Sequence, residues 1–413
     1  MNGLVLLDDG RGRLGPMVDL RPSFDLRSGI LTTGERIAKV VGHPLVAAVV
    51  PEHLRDITGT RHSGIPVNEL PEGDGPWLVI NGRLLHPPGD VSLECGTAEV
   101  SAQDGSVRRA VLDREGLQAL MEAMASPDPE ASLPESIRRL ERDEPPLAEH
   151  PWDIFTTAGS RISIDIGLIE RSEDHWMRLH GGTVIGDHPI RIARDALLDP
   201  LVVLDARDGP IVVESGARVG AHSVLTGPCA ILDDTRVTAH AAIKANTVIG
   251  PGCRVGGEIG GTVFQGFSNK SHDGHLGDSW VGEWVNLGAG TVNSNLLNTY
   301  GDVVVRIDPT EPRIRSGRQF LGCILGDHVK TAIGTRIMTG SVVGTGAMIA
   351  CAPSPPTTLE RFAWLTDDGV RTYRLDKFID TARVVMERRD QELDPATEVR
   401  LRSLHAATEG SKK

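Results

Sequence analysis

"IVVESGARVGAHSVLTGPCAILDDTRVTAHAAIKANTVIGPGCRV", residues 211–255, repeats itself every six residues. Val213, Val219, Leu225, Ile231, Val237, Ile243, Ile249 and Val255 share one phase. Two residues before each stand Ile211, Ala217, Ser223, Cys229, Thr235, Ala241, Thr247 and Cys253, nearly all small. The pattern returns at Leu325, Thr331, Ile337, Val343 and Ile349, with Cys323, Val329, Thr335, Ser341 and Ala347 in the small slot; a shorter piece, Val281 and Leu287, lies between. A period of six is neither the 2.0 of a strand nor the 3.6 of a helix. It fits one short strand plus one turn, three of which close a triangular coil with strands stacked about 4.7–4.9 Å apart. Each aliphatic then points to the axis and each small residue packs at a corner. The expected fold is a left-handed parallel β-helix, in which a coil contacts mainly its neighbours.

This register sorts the reactive residues. Cys229, Cys253 and Cys323 fall in the inward small slot and read as packing residues. The five cysteines contain no C-x-x-C, so neither a disulfide framework nor a zinc knuckle is indicated. His222 and His240 lie one coil apart and should stack outside in a column, either a solvated face or a zinc site. The repeat breaks between Val255 and Val281, and again from Leu296 to about Phe320. Neither gap is a multiple of six, so both segments are expected to leave the coil as loops, where function concentrates. The first contains "FSNKSHDGHLGDSW", residues 267–280.

The totals suit such a fold. Of 413 residues 39% are hydrophobic and only 4% aromatic, with 47 Gly and 26 Pro, as expected for many turns around a core of small aliphatics. A net charge of −13 argues against nucleic-acid binding. No apolar run approaches the roughly 18 residues that span a bilayer. "MNGLVLLDDGRGRLG" lacks a basic leader, so no signal peptide is expected and a cytoplasmic enzyme is the default.

Upstream, "MNGLVLLDD", "HPLVAAVVP" and "PWLVINGRLL" read as buried strands, and the latter part of "LRPSFDLRSGILTTGERIAKVVG" as a helix. Strands alternating with helical stretches suggest a parallel α/β sheet. "SPDPEASLPESIRRLERDEPPLAEHPWDIF" is Pro- and acid-rich, a boundary with a short helix at its centre. Downstream, "FAWLTDDGVRTYRL" looks like a hairpin, and Asp376 caps a helix with Phe378, Ile379, Ala382 and Val385 inward. The divisions are an α/β domain (1–150), a connecting segment (151–180), the β-helix (181–352) and a helical C-terminal cap with oligomer contacts (353–413).

"SNKSHDGHLGDSWVGEWVNLGAGTVNSN" resembles the acetyltransferase domain of bifunctional enzymes of the GlmU type, which make UDP-N-acetylglucosamine from glucosamine 1-phosphate. The shared residues are Lys270, His272, Leu276-Gly277-Asp278, Val285 to Thr291 and Asn295. "RPSFDLRSGIL", "VINGRLL", "HPWDIF" and "TYRLDK" extend the resemblance to a shorter GlmU-like family of sugar nucleotidyltransferases that covers most of the chain. The resemblance implies acetyl transfer from acetyl-CoA to an amino sugar phosphate in a homotrimer. It implies His272 as catalytic base, supported by Glu258. Asn269, Lys270, His275 and Asn295 would touch substrate, and the backbone of Ala289 would face acetyl-CoA. Chemistry independently favours an imidazole, which titrates near pH 6.5 and can take an amine proton at neutral pH.

For the first domain the resemblance implies nucleotidyl transfer from UTP with Mg²⁺. "DGRGRLGPM" supplies Gly10, Gly12 and Arg13 in a degenerate glycine-rich loop, while Arg21, Arg27, Asn81 and Arg83 are candidate phosphate contacts. Arginine stands at 83, where that family holds Mg²⁺ with aspartate, so the metal ligands stay unassigned. Two other readings remain. One is a sugar-nucleotide-binding scaffold with decayed sites. The other is a zinc β-helix enzyme of the carbonic anhydrase kind, recruiting His222, His240, His272 and His275.

Overall fold

The computed structural model describes residues 1–86, 92–125, 133–144, 146–169 and 182–410. The chain divides into two units, the first made of Met1–Arg13, Leu20–Leu26 and Leu31–His150. The second takes Leu14–Asp19, Arg27–Ile30 and everything from Pro151.

In the first unit, β1 (Leu4–Leu7), β2 (Leu45–Val49), β3 (Trp77–Asn81), β4 (Thr97–Val100), β5 (Val107–Leu112) and β6 (Arg138–Glu141) form one sheet in the order β2-β1-β3-β5-β4-β6. The three apolar runs are the parallel strands β1, β2 and β3, buried almost throughout. The all-parallel expectation fails at β5, which runs antiparallel to both β3 and β4. The short helix expected near 138–141 is instead β6, parallel to β4; residues 126–132 lie outside the described set. Helix α1 (Thr33–Val41) starts on a Thr32/Glu35 capping box and stops at Gly42 with φ +67°. Two further helices, α2 (Arg55–Arg61) and α3 (Arg114–Ala125), complete this unit.

The second unit opens with α4 (Pro151–Phe155) and α5 (Ala158–Leu168), where a plain connector was expected; residues 170–181 lie outside the described set. A parallel β-solenoid follows, consistent with the left-handed β-helix that the repeat calls for. It has three faces. Face A runs from Thr183–Ile185 to His275–Gly277, face B from Ile190–Ile192 to Thr358–Leu359, and face C from Leu197–Leu198 to the hairpin at Ala363–Thr372. Partners in the regular part are eighteen residues apart, as Ile211 with Cys229 and Cys229 with Thr247. The eight aliphatics from Val213 to Val255 lie in one core, and the eight slot residues are equally buried. Burial pushes the thiols of Cys229, Cys253 and Cys323 up to about 12, so they pack and do not react. His222 and His240 stack outside, ring centroids 4.9 Å apart and 2° from parallel.

Residues 256–280 do not leave the coil. They pair in continuous register, Ile243 with Ile259, Val248 with Val263, Arg254 with Asn269 and Glu258 with His275. Coils there contain fifteen to seventeen residues, because glycines let corners close in fewer steps. Gly257 (φ +75°) shows this: a Cβ there would lie 2.9 Å from the Gly274 carbonyl oxygen. The second interruption does leave the coil. It forms an antiparallel pair, Val304–Val305 with Ile314–Arg315, and the coil partner of Trp280 becomes Ile324.

At the far end Thr366 pairs with Gly369 across a two-residue turn, as the Asp-Asp-Gly signal predicts. The helices α6 (Leu375–Glu387) and α7 (Pro395–Gly410) form the C-terminal helical segment. They lie along the flank: Phe378 packs edge-on against His328, and Arg389 donates to the Gly252 carbonyl several coils away. Met386 joins Phe378, Ile379 and Ala382 inside, while Val385 is only half-buried. Among the described residues, no helix is long and apolar enough to cross a membrane.

Candidate functional site

The edge where face C turns into face A carries the corner residues 271–274 and, one coil on, 288–291. His272 sits exposed on the first corner and half-buried Ala289 on the second. Immediately after these corners, face A brings five polar side chains together. Glu258 and His275 are register partners on adjacent strands, and Glu258 Oε1 lies 3.3 Å from His275 Nδ1. Lys244 donates to the same carboxylate, and this bond, with the nearby imidazole, holds Glu258 below its usual range. Asn295 Nδ2 donates to Asp278 Oδ2 at 2.6 Å. Burial pushes the Asp278 carboxyl up, against the Asn295 bond and the His275 field.

Gly277 makes the cluster possible. A Cβ at 277 would fall 2.6 Å from His275 Nε2 and 2.8 Å from Asn295 Nδ2, so the missing side chain leaves one notch shared by both. The imidazole therefore turns Nδ1 to a carboxylate and Nε2 to a notch. That is the arrangement of an oriented base.

The other expected residues are distributed differently. Glu258, expected beneath His272, pairs with His275 because those two are in register. Lys270, expected to meet phosphate, is turned inward: it is the face C partner of Val255 and 2% exposed. Its Nζ donates to the carbonyls of His272 (2.7 Å) and Gly256 (3.2 Å), and burial lowers its pKa to about 8. It thus ties down the corner that carries His272, from inside. Asn269 lies outward on face C, engaged by Asn286 and Arg389, away from the face A cluster. Sequence reasoning missed Lys244 and Asp278. The signal for Lys244 was its place one coil before Gly260, and Asp278 was within the L-G-D motif. Among the described residues no group of three His, Cys, Asp or Glu side chains is arranged to hold a metal, so the zinc reading finds no site there.

In the first unit the candidate loop follows β1. Asp8 accepts from the amides of Gly10 (3.0 Å) and Ser23 (2.7 Å). Asp9 accepts from the Arg11 amide, from Asn81 Nδ2 (2.9 Å), and from Arg83 through Nε (3.0 Å) and Nη2 (2.7 Å). The side chains of Arg83 and Asp9 are each 3% exposed. Gly12 is half-buried, and exposed Arg13 gives its amide to the Glu149 carbonyl. Arg21 is fully buried. Arg27 belongs to the second unit, where its amide donates to the Gln265 side chain and its guanidinium to the Ile30 carbonyl.

Residues 4–174 match the family model described as "Sugar nucleotidyl transferase". The chain is 27% identical over 193 residues to the bifunctional protein GlmU of Nostoc sp. strain PCC 7120, covering 41% of this chain and 42% of that protein. It is 33% identical over 144 residues to GlmU of Methanococcus aeolicus, 34% of each chain. A bifunctional sugar-1-phosphate nucleotidylyltransferase/acetyltransferase of Sulfurisphaera tokodaii is 29% identical over 143 residues, 34% of this chain and 35% of that one. The chain is thus similar in part to sugar nucleotidyl transferases and to bifunctional proteins of the GlmU type.

The matched stretches span less than half the length of those relatives. The crystal structure of Francisella novicida UDP-N-acetylglucosamine acyltransferase superposes on 51% of this chain and 73% of that one at a TM-score of 0.30 and 14% identity, too loosely to add to the argument. The Mg²⁺ that nucleotidyl transfer implies does not fit the residues present. Arg83 brings a cation where an anionic ligand is needed, and both oxygens of Asp9 are engaged by Arg83 and Asn81.

Proposed function

We propose that the solenoid transfers an acetyl group from acetyl-CoA to the amine of an amino sugar phosphate, as a step of sugar-nucleotide biosynthesis, with His275 as general base. The observation that carries this reading is the Glu258–His275 pair, with Nε2 directed at the notch over Gly277. The carboxylate fixes the tautomer and stabilises the imidazolium. Nε2 takes the amine proton as the nitrogen attacks the thioester carbonyl; the C–N bond forms, the C–S bond breaks, and the proton passes to the departing thiolate. Asn295 and Asp278 line the notch and would orient the sugar. His272, on the exposed corner beside them, would contact substrate and not abstract the proton. The name of the Sulfurisphaera tokodaii relative, which pairs sugar-1-phosphate nucleotidyl transfer with acetyl transfer, supports the substrate class. A homotrimer in the cytoplasm, its sites set along the solenoid edges, belongs to the same proposal.

Two variants assayed with acetyl-CoA and a panel of amino sugar phosphates, following free thiol, decide the assignment. His275→Gln should lose about 10²–10⁴-fold in kcat, the usual worth of a positioned base. His272→Gln should act mainly on KM. The reverse ranking would return the base to His272, full activity in both variants would refute both assignments, and no acetyl transfer by the wild type would leave the scaffold reading standing.

A further inference from the structure

In the first unit, the groups best placed to hold a phosphate already hold the protein's own carboxylates. The amides of Gly10 and Arg11 point at Asp8 and Asp9, as the amides of an anion-binding turn point at phosphate oxygens. Arg83 closes the set: besides its two bonds to Asp9, it donates to the Ala148 carbonyl and the Ser106 hydroxyl, both at 3.0 Å. Ser106 is held in turn by Asp104 at 2.7 Å. Asn81 completes the ring, its amide nitrogen bridging Asp9 and the Val107 carbonyl (2.8 Å) and its oxygen accepting from the Arg83 amide (2.9 Å). A buried, bidentate arginine–carboxylate pair of this kind exchanges partners only if a stronger anion displaces the carboxylate.

We infer that the loop after β1 is an anion site closed by Asp9, so that the first unit performs no Mg²⁺-dependent nucleotidyl transfer. Asp9 occupies the place of a phosphate, and Arg83 supplies the neutralising charge from within the chain. Removing the Asp9 charge opens the site, because Arg83 then stays buried without its counter-ion and a diphosphate can replace it. The acetyl transfer proposed for the solenoid uses none of these residues, so the two readings fail separately.

The test uses the full chain with inorganic pyrophosphate as probe. Wild-type protein should show no thermal shift with millimolar pyrophosphate, and no pyrophosphate release from UTP, Mg²⁺ and a panel of sugar 1-phosphates. Asp9→Asn should melt lower than wild type and regain stability as pyrophosphate is added, while keeping wild-type acetyl transfer. An Asp9→Asn/Arg83→Met double variant should lose that response, which separates the arginine's charge from general loosening. Pyrophosphate release by the wild type overturns the inference even if neither variant folds. A folded Asp9→Asn protein indifferent to pyrophosphate overturns it too.

Discussion

Lys270 allows a quantitative test of the solenoid's register. Its ammonium stands in a column of aliphatics, between Val255 and Leu287, and titrates at about 8 against 10.5 for an ordinary lysine. Below pH 8 both folded and unfolded chains carry the proton, and the folded state bears the whole penalty of burying it. Between 8 and 10.5 the unfolded chain binds more protons, so stability rises with pH. The penalty is roughly 3 kcal/mol at pH 7 and about 1 kcal/mol at pH 10. Lys270→Met removes it, while orphaning the His272 and Gly256 carbonyls at a cost of about 1–3 kcal/mol. The absolute change at pH 7 is therefore small, but the gap between variant and wild type should move by about 2 kcal/mol in favour of wild type from pH 7 to 10. Urea unfolding at four pH values, followed by circular dichroism, measures it. Parallel stability curves would refute the buried-cation reading. A solvent-facing lysine gives that result.

Gly277→Ala should fold and yet lose about 10²-fold in acetyl transfer, since the new methyl group displaces the His275 ring by roughly 1 Å; steady-state kinetics beside a melting curve separates the two effects. Asp19 accepts three bonds from Arg361, through Nε and Nη2, and one from Thr345, so Asp19→Asn should destabilise the second unit by ~3 kcal/mol, read as a drop in unfolding midpoint. The hydrogen bond that His62 donates to Asp25 raises the pKa of His62, so that pair stabilises the first unit below about pH 6.5 and stops doing so as pH rises through the folded pKa. His62→Gln should accordingly lower the melting temperature at pH 5.5 and leave it nearly unchanged at pH 8.5.

The solenoid was legible because inward aliphatics at a fixed period report the coil directly, and Val213 to Val255 never miss a step. Between 256 and 280 the same logic misled. Glycine corners shorten the coils, so the period drifts without the chain leaving the stack. With it drifted the facing of each side chain: Lys270 looked like a phosphate ligand by type but holds an axial position. The Glu258–His275 pairing was hidden for the same reason, since register partners seventeen residues apart cannot be assigned until the coil length is known. In the first unit, hydrophobic runs identified β1, β2 and β3. The antiparallel β5 left no mark, because strand direction depends on connections and not on composition. The Asp9–Arg83 pair joins residues far apart in sequence, and neither residue announces the other.

The hairpin at Ala363–Thr372 has a meaning for assembly. A stack of parallel strands presents at its last rung a row of amides and carbonyls ready to template another copy, the geometry by which fibres elongate. Here the final strand doubles back, so the exposed rung runs opposite to every rung beneath it. A neighbour arriving in the polarity of the stack meets the wrong hydrogen-bonding pattern. On face C, lengthwise growth in the polarity of the stack is thereby discouraged.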